Sequence, residues 1–191
     1  MEEQRQQTRI NKFIALQEAL TMMARPSLVS ETNQESLSEI NHIIEHLKTT
    51  RELLSGLNDS DTENATQLGK DLMTITTELL LRVVKQIGQT NIQTPTLESL
   101  IGYVRSLIHT KSAHMRQTIP GPLLIEWYAL SRLMSSMQFE PELRITTKKA
   151  KQLLDITNDT AAWAYQYLSN QDPNKNQIGF VDRNSTPYTN E

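Results

Sequence analysis

Apolar side chains along the chain recur every three or four residues almost everywhere, the spacing of amphipathic helices. Ile10, Phe13, Leu16, Leu20 and Met23 form a first stripe that Pro26 ends. After the polar stretch 30–33, a narrow stripe of Leu37, Ile40, Ile44, Leu47 and Leu54 predicts a second helix. The run Asn58-Asp59-Ser60-Asp61 has the composition of a turn. A third helix is expected next, with Asn64 as N-cap and Gln67 three residues on, close to a capping box. It carries Leu68, Leu72, Ile75, Leu79, Val83 and Ile87, with Met73, Leu80 and Val84 alongside. So broad an apolar arc predicts a position at the centre of the fold.

The pattern breaks over 90–96, at Pro95, and Thr96 can cap a fourth helix bearing Leu97, Leu100, Ile101, Val104, Leu107 and Ile108. Ile119-Pro120-Gly121-Pro122 stops that helix, and Pro122 suits the first position of the next. From Leu123 to Gln138 the sequence is apolar nearly all round, which predicts a second deeply buried helix. Pro141 interrupts, and a last helix is expected from about Thr146 to Asn170. Residues 171–191 have no helical period and hold Pro173, Gly179 and Pro187. The pattern thus predicts an all-α fold: an antiparallel bundle of about six helices over residues 1–170, with an extended, non-helical C-terminal tail over 171–191.

Composition removes several classes of chemistry. At 191 residues the chain can bury a core without a staple. It has no cysteine, so disulfide scaffolds, thiolate metal sites and cysteine nucleophiles are excluded. Six glycines argue against glycine-rich phosphate loops, and no G-x-x-x-x-G-K-[ST] or G-x-G-x-x-G string occurs. The first residues, Met1 to Gln7, are polar and lack an apolar signal core, and no apolar run nears the ~20 residues of a membrane span. A cytoplasmic protein with no membrane partner is the expectation.

Charge is segregated. Between Glu31 and Glu78 ten acidic residues face three basic ones, whereas between Arg105 and Lys151 eight basic residues face three acidic ones. Two uses of this asymmetry follow. Opposite patches could join neighbouring copies head to tail, which closes a ring or extends a filament. Alternatively, a basic patch could hold RNA. Arg144, Lys148, Lys149 and Lys151 cluster at an expected helix start, where amide groups also favour anions, and Arg5 and Arg9 lie on one face of the first helix. In the tail, Ile178, Phe180, Val181 and Tyr188 are the sizeable apolar anchors, spaced as a docking arm would space them.

Catalytic patterns are sparse. His42-Ile43-Ile44-Glu45-His46 matches the H-x-x-E-H string of inverted zincins, in which two imidazoles hold zinc and the glutamate activates its water. At ~100° per residue both histidines lie about 110–150° from the apolar stripe, so a solvated helix face is expected instead. His109 and His114, five residues apart, are poorly placed to share a metal and are expected at the surface. No serine sits in G-x-S-x-G or S-x-x-K, and the paired acids Glu140 and Glu142 flank Pro141 in a connection. N-x-[ST] strings at Asn58, Asn64, Asn158 and Asn184 are what an Asn-, Ser- and Thr-rich chain yields by chance. Trp127 and Tyr128 are expected in a core, with Trp163, Tyr165 and Tyr167 nearer a surface.

In size and composition the chain resembles the helical coat proteins of rod-shaped RNA viruses and small helical viral accessory proteins. It is 21.8 kDa, helical, cysteine-free and polar-tailed. The resemblance implies a viral structural or accessory role and carries no residue across. The reading that follows is a non-enzymatic assembly or interaction protein acting through self-association, without cofactor, catalytic residue or metal. Its alternative is an RNA-binding helical protein of the coat or silencing-suppressor kind. A zinc hydrolase at His42, Glu45 and His46 is a distant third.

Overall fold

The structure is a computed structural model that describes residues 2–5, 7, 11, 32–58, 60, 62–87, 96–115 and 119–170, with side chains at 109–115 outside the description. Five helices are complete: α1 (Asn33–Leu54), α2 (Thr62–Ile87), α3 (Leu97–Met115), α4 (Gly121–Phe139) and α5 (Thr147–Asn170). Residues 2–5, 7 and 11 are helical as well, and no strand occurs among the described residues. The fold is all-α, a helical bundle. The tail over 171–191 and the stripe from Phe13 to Met23 lie outside the described residues.

The centre of the bundle is the pair α2 and α5, with α1 packed on α5, α3 on α2, and α4 along the edge of α3 and α5. Successive contacts climb both central helices together. Thr66 meets Ile145, Gly69 meets Leu153, and Thr76 meets Thr157, so α2 and α5 run in the same direction. α1 runs against both: Asn33 Nδ2 donates to the Leu168 carbonyl 3.3 Å away, and Gln86 Nε2 donates to Ser36 Oγ at 3.2 Å.

Local chemistry explains the helix starts. Thr32 caps α1 through a capping box: its hydroxyl accepts from Glu35 N–H while the Glu35 carboxylate accepts from Thr32 N–H at 2.8 Å. Thr96 caps α3 as expected, accepting from Ser99 N–H at 3.1 Å. The expected cap at Asn64 is displaced, because α2 begins at Thr62 and leaves Asn64 inside its first turn. Gln67, the other half of that expected box, instead donates to Asp71 Oδ1 at 3.2 Å.

Two burial expectations are corrected. In α1 the buried line is Ser36, Ile40, Ile43, Leu47, Thr50 and Leu54, alternating steps of four and three, so Ile43 and not Ile44 sits in the seam. The larger correction concerns α4. It buries only Leu123, Trp127 and Leu130, whereas α2 buries sixteen residues and α5 eleven. An all-round apolar sequence predicts deep burial for α4, but α5 is the second deeply buried helix, through small side chains. Thr147, Ala150, Thr157, Thr160, Ala161 and Ala164 let it approach its neighbours closely.

Burial differs enough between helices to separate substitutions by size of effect. Leu79→Ala in α2 removes a fully buried side chain and should cost about 2–5 kcal/mol. Ile125→Ala in α4, at 70% exposure, should fall within about 0.5 kcal/mol of the parent. Chemical denaturation of both variants checks the ranking.

Candidate interaction surfaces

α4 is set against the bundle by one large side chain. Trp127 is fully buried and donates its indole N–H to Thr160 Oγ1 at 2.8 Å, while Thr160 gives its own proton to the Ile156 carbonyl. Trp163 meets Trp127 edge-on at 5.2 Å between centroids, and Tyr167 stacks on Trp163 at 5.5 Å. Trp163 and Tyr167 therefore belong to the core, against the surface position expected for them, and only Tyr165 of the three is exposed. Heptad-like spacing from Thr160 through Ala164 to Tyr167 carried that signal in the sequence. Burial also pushes the Tyr167 phenol above its ordinary pKa.

The opposite side of α4 faces out. Ile125 is 70% exposed and Phe139 86%. Glu126 and Arg132 are the helix's two charged residues in nineteen. Leu124, Tyr128, Leu133, Met134 and Met137 are half-buried beside the core. At its C-terminal end the chain turns through Glu140, Pro141 and Glu142. Residues Phe139–Arg144 line an open cleft of about 640 Å³ there.

The basic residues lie just beyond this corner. Arg144, Lys148, Lys149 and Lys151 are all exposed around the start of α5. Three hydrogen bonds fix that start. Ile145 N–H donates to Thr66 Oγ1 at 2.8 Å, and the Thr147 hydroxyl donates to the Asn58 carbonyl at 3.1 Å. Thr146 caps the helix by accepting from Lys149 N–H at 3.1 Å. Arg5 is exposed at the other end of the sequence, while Arg9 and the tail residues Ile178, Phe180, Val181 and Tyr188 lie outside the described residues.

A second hollow, about 340 Å³, opens between the end of α1 and the second turn of α5, lined by Arg51, Leu54, Ser55, Lys151, Leu154 and Asp155. Arg51 pairs with Asp155 across it. Further along α5, Asp159 and Glu126 of α4 join Asp155 in an acidic group. The Glu126 pKa is raised by burial and then by Asp159 and Asp155. Asp159 is raised by burial and Asp155, with Arg51 acting in the opposite direction.

On α1, His42 is exposed and His46 half-buried, their rings edge-to-face with centroids 6.0 Å apart. Glu45, between them in sequence, is an exposed partner of Lys48 at 3.0 Å. Among the described residues no three His, Asp or Glu side chains are grouped to hold a metal, and no helix is long and apolar enough to cross a membrane. The side chains of His109 and His114 lie outside the description.

The raised carboxylates give a signed pH effect. A carboxylate with a raised folded-state pKa weakens the fold while charged, and that cost is relieved as pH falls through the folded value. Glu126→Gln should therefore raise the melting temperature at pH 7. The gain should shrink as pH falls toward the ordinary carboxylate range. Melts of both proteins across that window check the sign.

Comparison of the chain with family models, with characterised proteins and with solved structures finds no match.

Proposed function

We propose that this chain is a non-enzymatic assembly or interaction protein that works by associating with itself. The observation that carries the reading is α4: a helix at the edge of the bundle, nearly uncharged, whose outward side presents Ile125 and Phe139 to solvent. Two large apolar side chains this exposed on one side of a helix are surface that a second copy can cover. A self-association site needs nothing beyond what each copy already carries. The tail anchors Ile178, Phe180, Val181 and Tyr188 belong to the same proposal as a second contact.

Mass measured by light scattering over a range of concentration tests this. The parent should exceed one chain's mass, and Ile125→Lys combined with Phe139→Asp should return it to the monomer with an unchanged melt, because both side chains are exposed. Deleting 171–191 from the parent should by itself weaken the association. A parent that stays monomeric at every concentration overturns the reading.

A second reading, binding of RNA, is favoured by one observation: four exposed cations surround the capped start of α5. If they hold phosphates, affinity should fall steeply with salt. Neutralising two should then flatten the slope of log K against log salt by roughly 1.4–1.8, at about 0.7–0.9 per contact. Titration of single-stranded RNA at several salt concentrations checks it, and affinity independent of salt overturns it.

A further inference from the structure

Self-association through α4 makes no use of the His42-Ile43-Ile44-Glu45-His46 string on α1. Ile43 sits in the buried seam, while His42 is exposed and His46 half-buried. Residues four apart on a helix lie one above the other on the same face. The two rings accordingly meet, edge to face, with centroids 6.0 Å apart. Neither ring donates or accepts a hydrogen bond among the described residues. Each neutral imidazole carries one lone-pair nitrogen, so this face offers two such nitrogens one helical turn apart.

The spacing suits two ligands on one metal ion. With Zn–N of about 2.0–2.1 Å, two imidazoles on one tetrahedral ion have ring centres roughly 5 Å apart. The 6.0 Å between these rings is close to that. The adjustment falls on the histidine χ2 torsions, which are broad, and leaves the backbone where it is. Both residues lie in the middle of the 22-residue α1, so the helix fixes their separation before an ion arrives. The local charge also favours a cation. α1 carries Glu35, Glu39, Glu45 and Glu52 against Lys48 and Arg51, and both of these cations are paired, Lys48 with Glu45 and Arg51 with Asp155.

The number of ligands limits the chemistry. No third His, Asp or Glu is grouped with the pair among the described residues. A zincin needs three protein ligands and a glutamate that works on the bound water, whereas Glu45 pairs with Lys48 at 3.0 Å. The string therefore keeps the metal-holding half of that pattern without the hydrolytic half. Imidazole nitrogen suits zinc, copper and nickel, while magnesium and calcium take oxygen ligands.

We propose that His42 and His46 form a two-imidazole chelate on the exposed side of α1 for a divalent transition-metal ion of the zinc, copper and nickel class, with water in the remaining coordination positions. The chelate clamps one turn of α1 and assigns Glu45 no part in holding the ion. It is independent of the self-association reading.

Zinc alone, titrated into the full chain by calorimetry and checked by equilibrium dialysis, tests it. The parent should take up one ion per chain, and the ion should raise its melting temperature, because it binds the folded helix. His42→Gln and His46→Gln should each weaken uptake at least about tenfold, since each removes a ligand held beside the other at high effective concentration. The double variant should lose both the ion and the zinc-dependent rise in melting temperature. Without zinc, all three variants should melt as the parent does, which separates loss of a ligand from loss of fold. His109→Gln combined with His114→Gln should keep the ion, and so should Glu45→Gln. A parent that takes up no zinc overturns the proposal. So does a double variant at 42 and 46 that retains the ion, or a single variant that binds as tightly as the parent. Loss of the ion from the 109 and 114 variant, or from Glu45→Gln, overturns the two-imidazole ligand set.

Discussion

The close approach of α2 to α5 is the constraint on which the rest of the bundle depends. At Gly69 a side chain would collide with the fold: an added Cβ would lie 2.6 Å from Ile145 Cδ1 and 3.1 Å from Leu153 Cδ1. Glycine inside a helix costs about 1 kcal/mol relative to alanine. That cost is offset here because the vacated space is filled by two buried aliphatic side chains. Threonines carry the seam onward. The Thr76 and Thr157 hydroxyls lie 3.0 Å apart, so that one donates to the other, and the accepting hydroxyl gives its own proton to a carbonyl one turn back on its own helix. Hydroxyls satisfied in this way can be buried without the penalty of an orphaned polar group. They are small enough to let the helix axes draw together.

This seam also explains why the centre of the bundle was only half legible in the sequence. The broad arc of Leu68, Leu72, Ile75, Leu79 and Val83 identifies α2 directly, because large aliphatic residues at helical spacing on one side of a helix form the packed side of a bundle. In α5 the buried face is mostly threonine and alanine. These residues read as a weak stripe, although their size is what permits burial. α4 misleads in the other direction. Leucine, methionine and tyrosine all round a helix indicate apolar surface without saying how much of it a bundle covers. Ile43 and Ile44 are adjacent, so only the packing of α1 on α5 selects between them. The box at Thr32 and Glu35 was legible by its T-x-x-E spacing. The one at Asn64 fails because α2 starts two residues earlier.

The candidate surfaces were legible to different degrees. The exposed cations at the start of α5 follow from their sequence, since a run of lysines around a capped helix start has nowhere to go but solvent. The hollow between α1 and α5 could not be read, because Arg51 and Asp155 are 104 residues apart and meet only once α1 packs on α5. The acidic group of Glu126, Asp155 and Asp159 is likewise a product of helix packing. Phe139 falls one residue beyond the helix expected over Leu123 to Gln138, so the apolar pattern assigns it no face.

Magnitudes decide what holds α4 in place. The exposed Arg51–Asp155 pair is worth about 0–1 kcal/mol, and the charged acids beside Glu126 act against docking. Trp127, by contrast, is fully buried with its indole N–H satisfied by Thr160, and loss of such a side chain costs about 3–5 kcal/mol. α4 is therefore fixed chiefly by one aromatic anchor near its middle, with Leu123 and Leu130 a turn to either side. A helix held in this way needs no apolar contact along its outer face or at its C-terminal end. Apolar residues there, Ile125 and Phe139, are 70% and 86% exposed and contribute little to the bundle. One helix thus has two unlike sides: the inner one is fixed to the fold by its anchor, and the outer one meets solvent without any part in holding the helix in place.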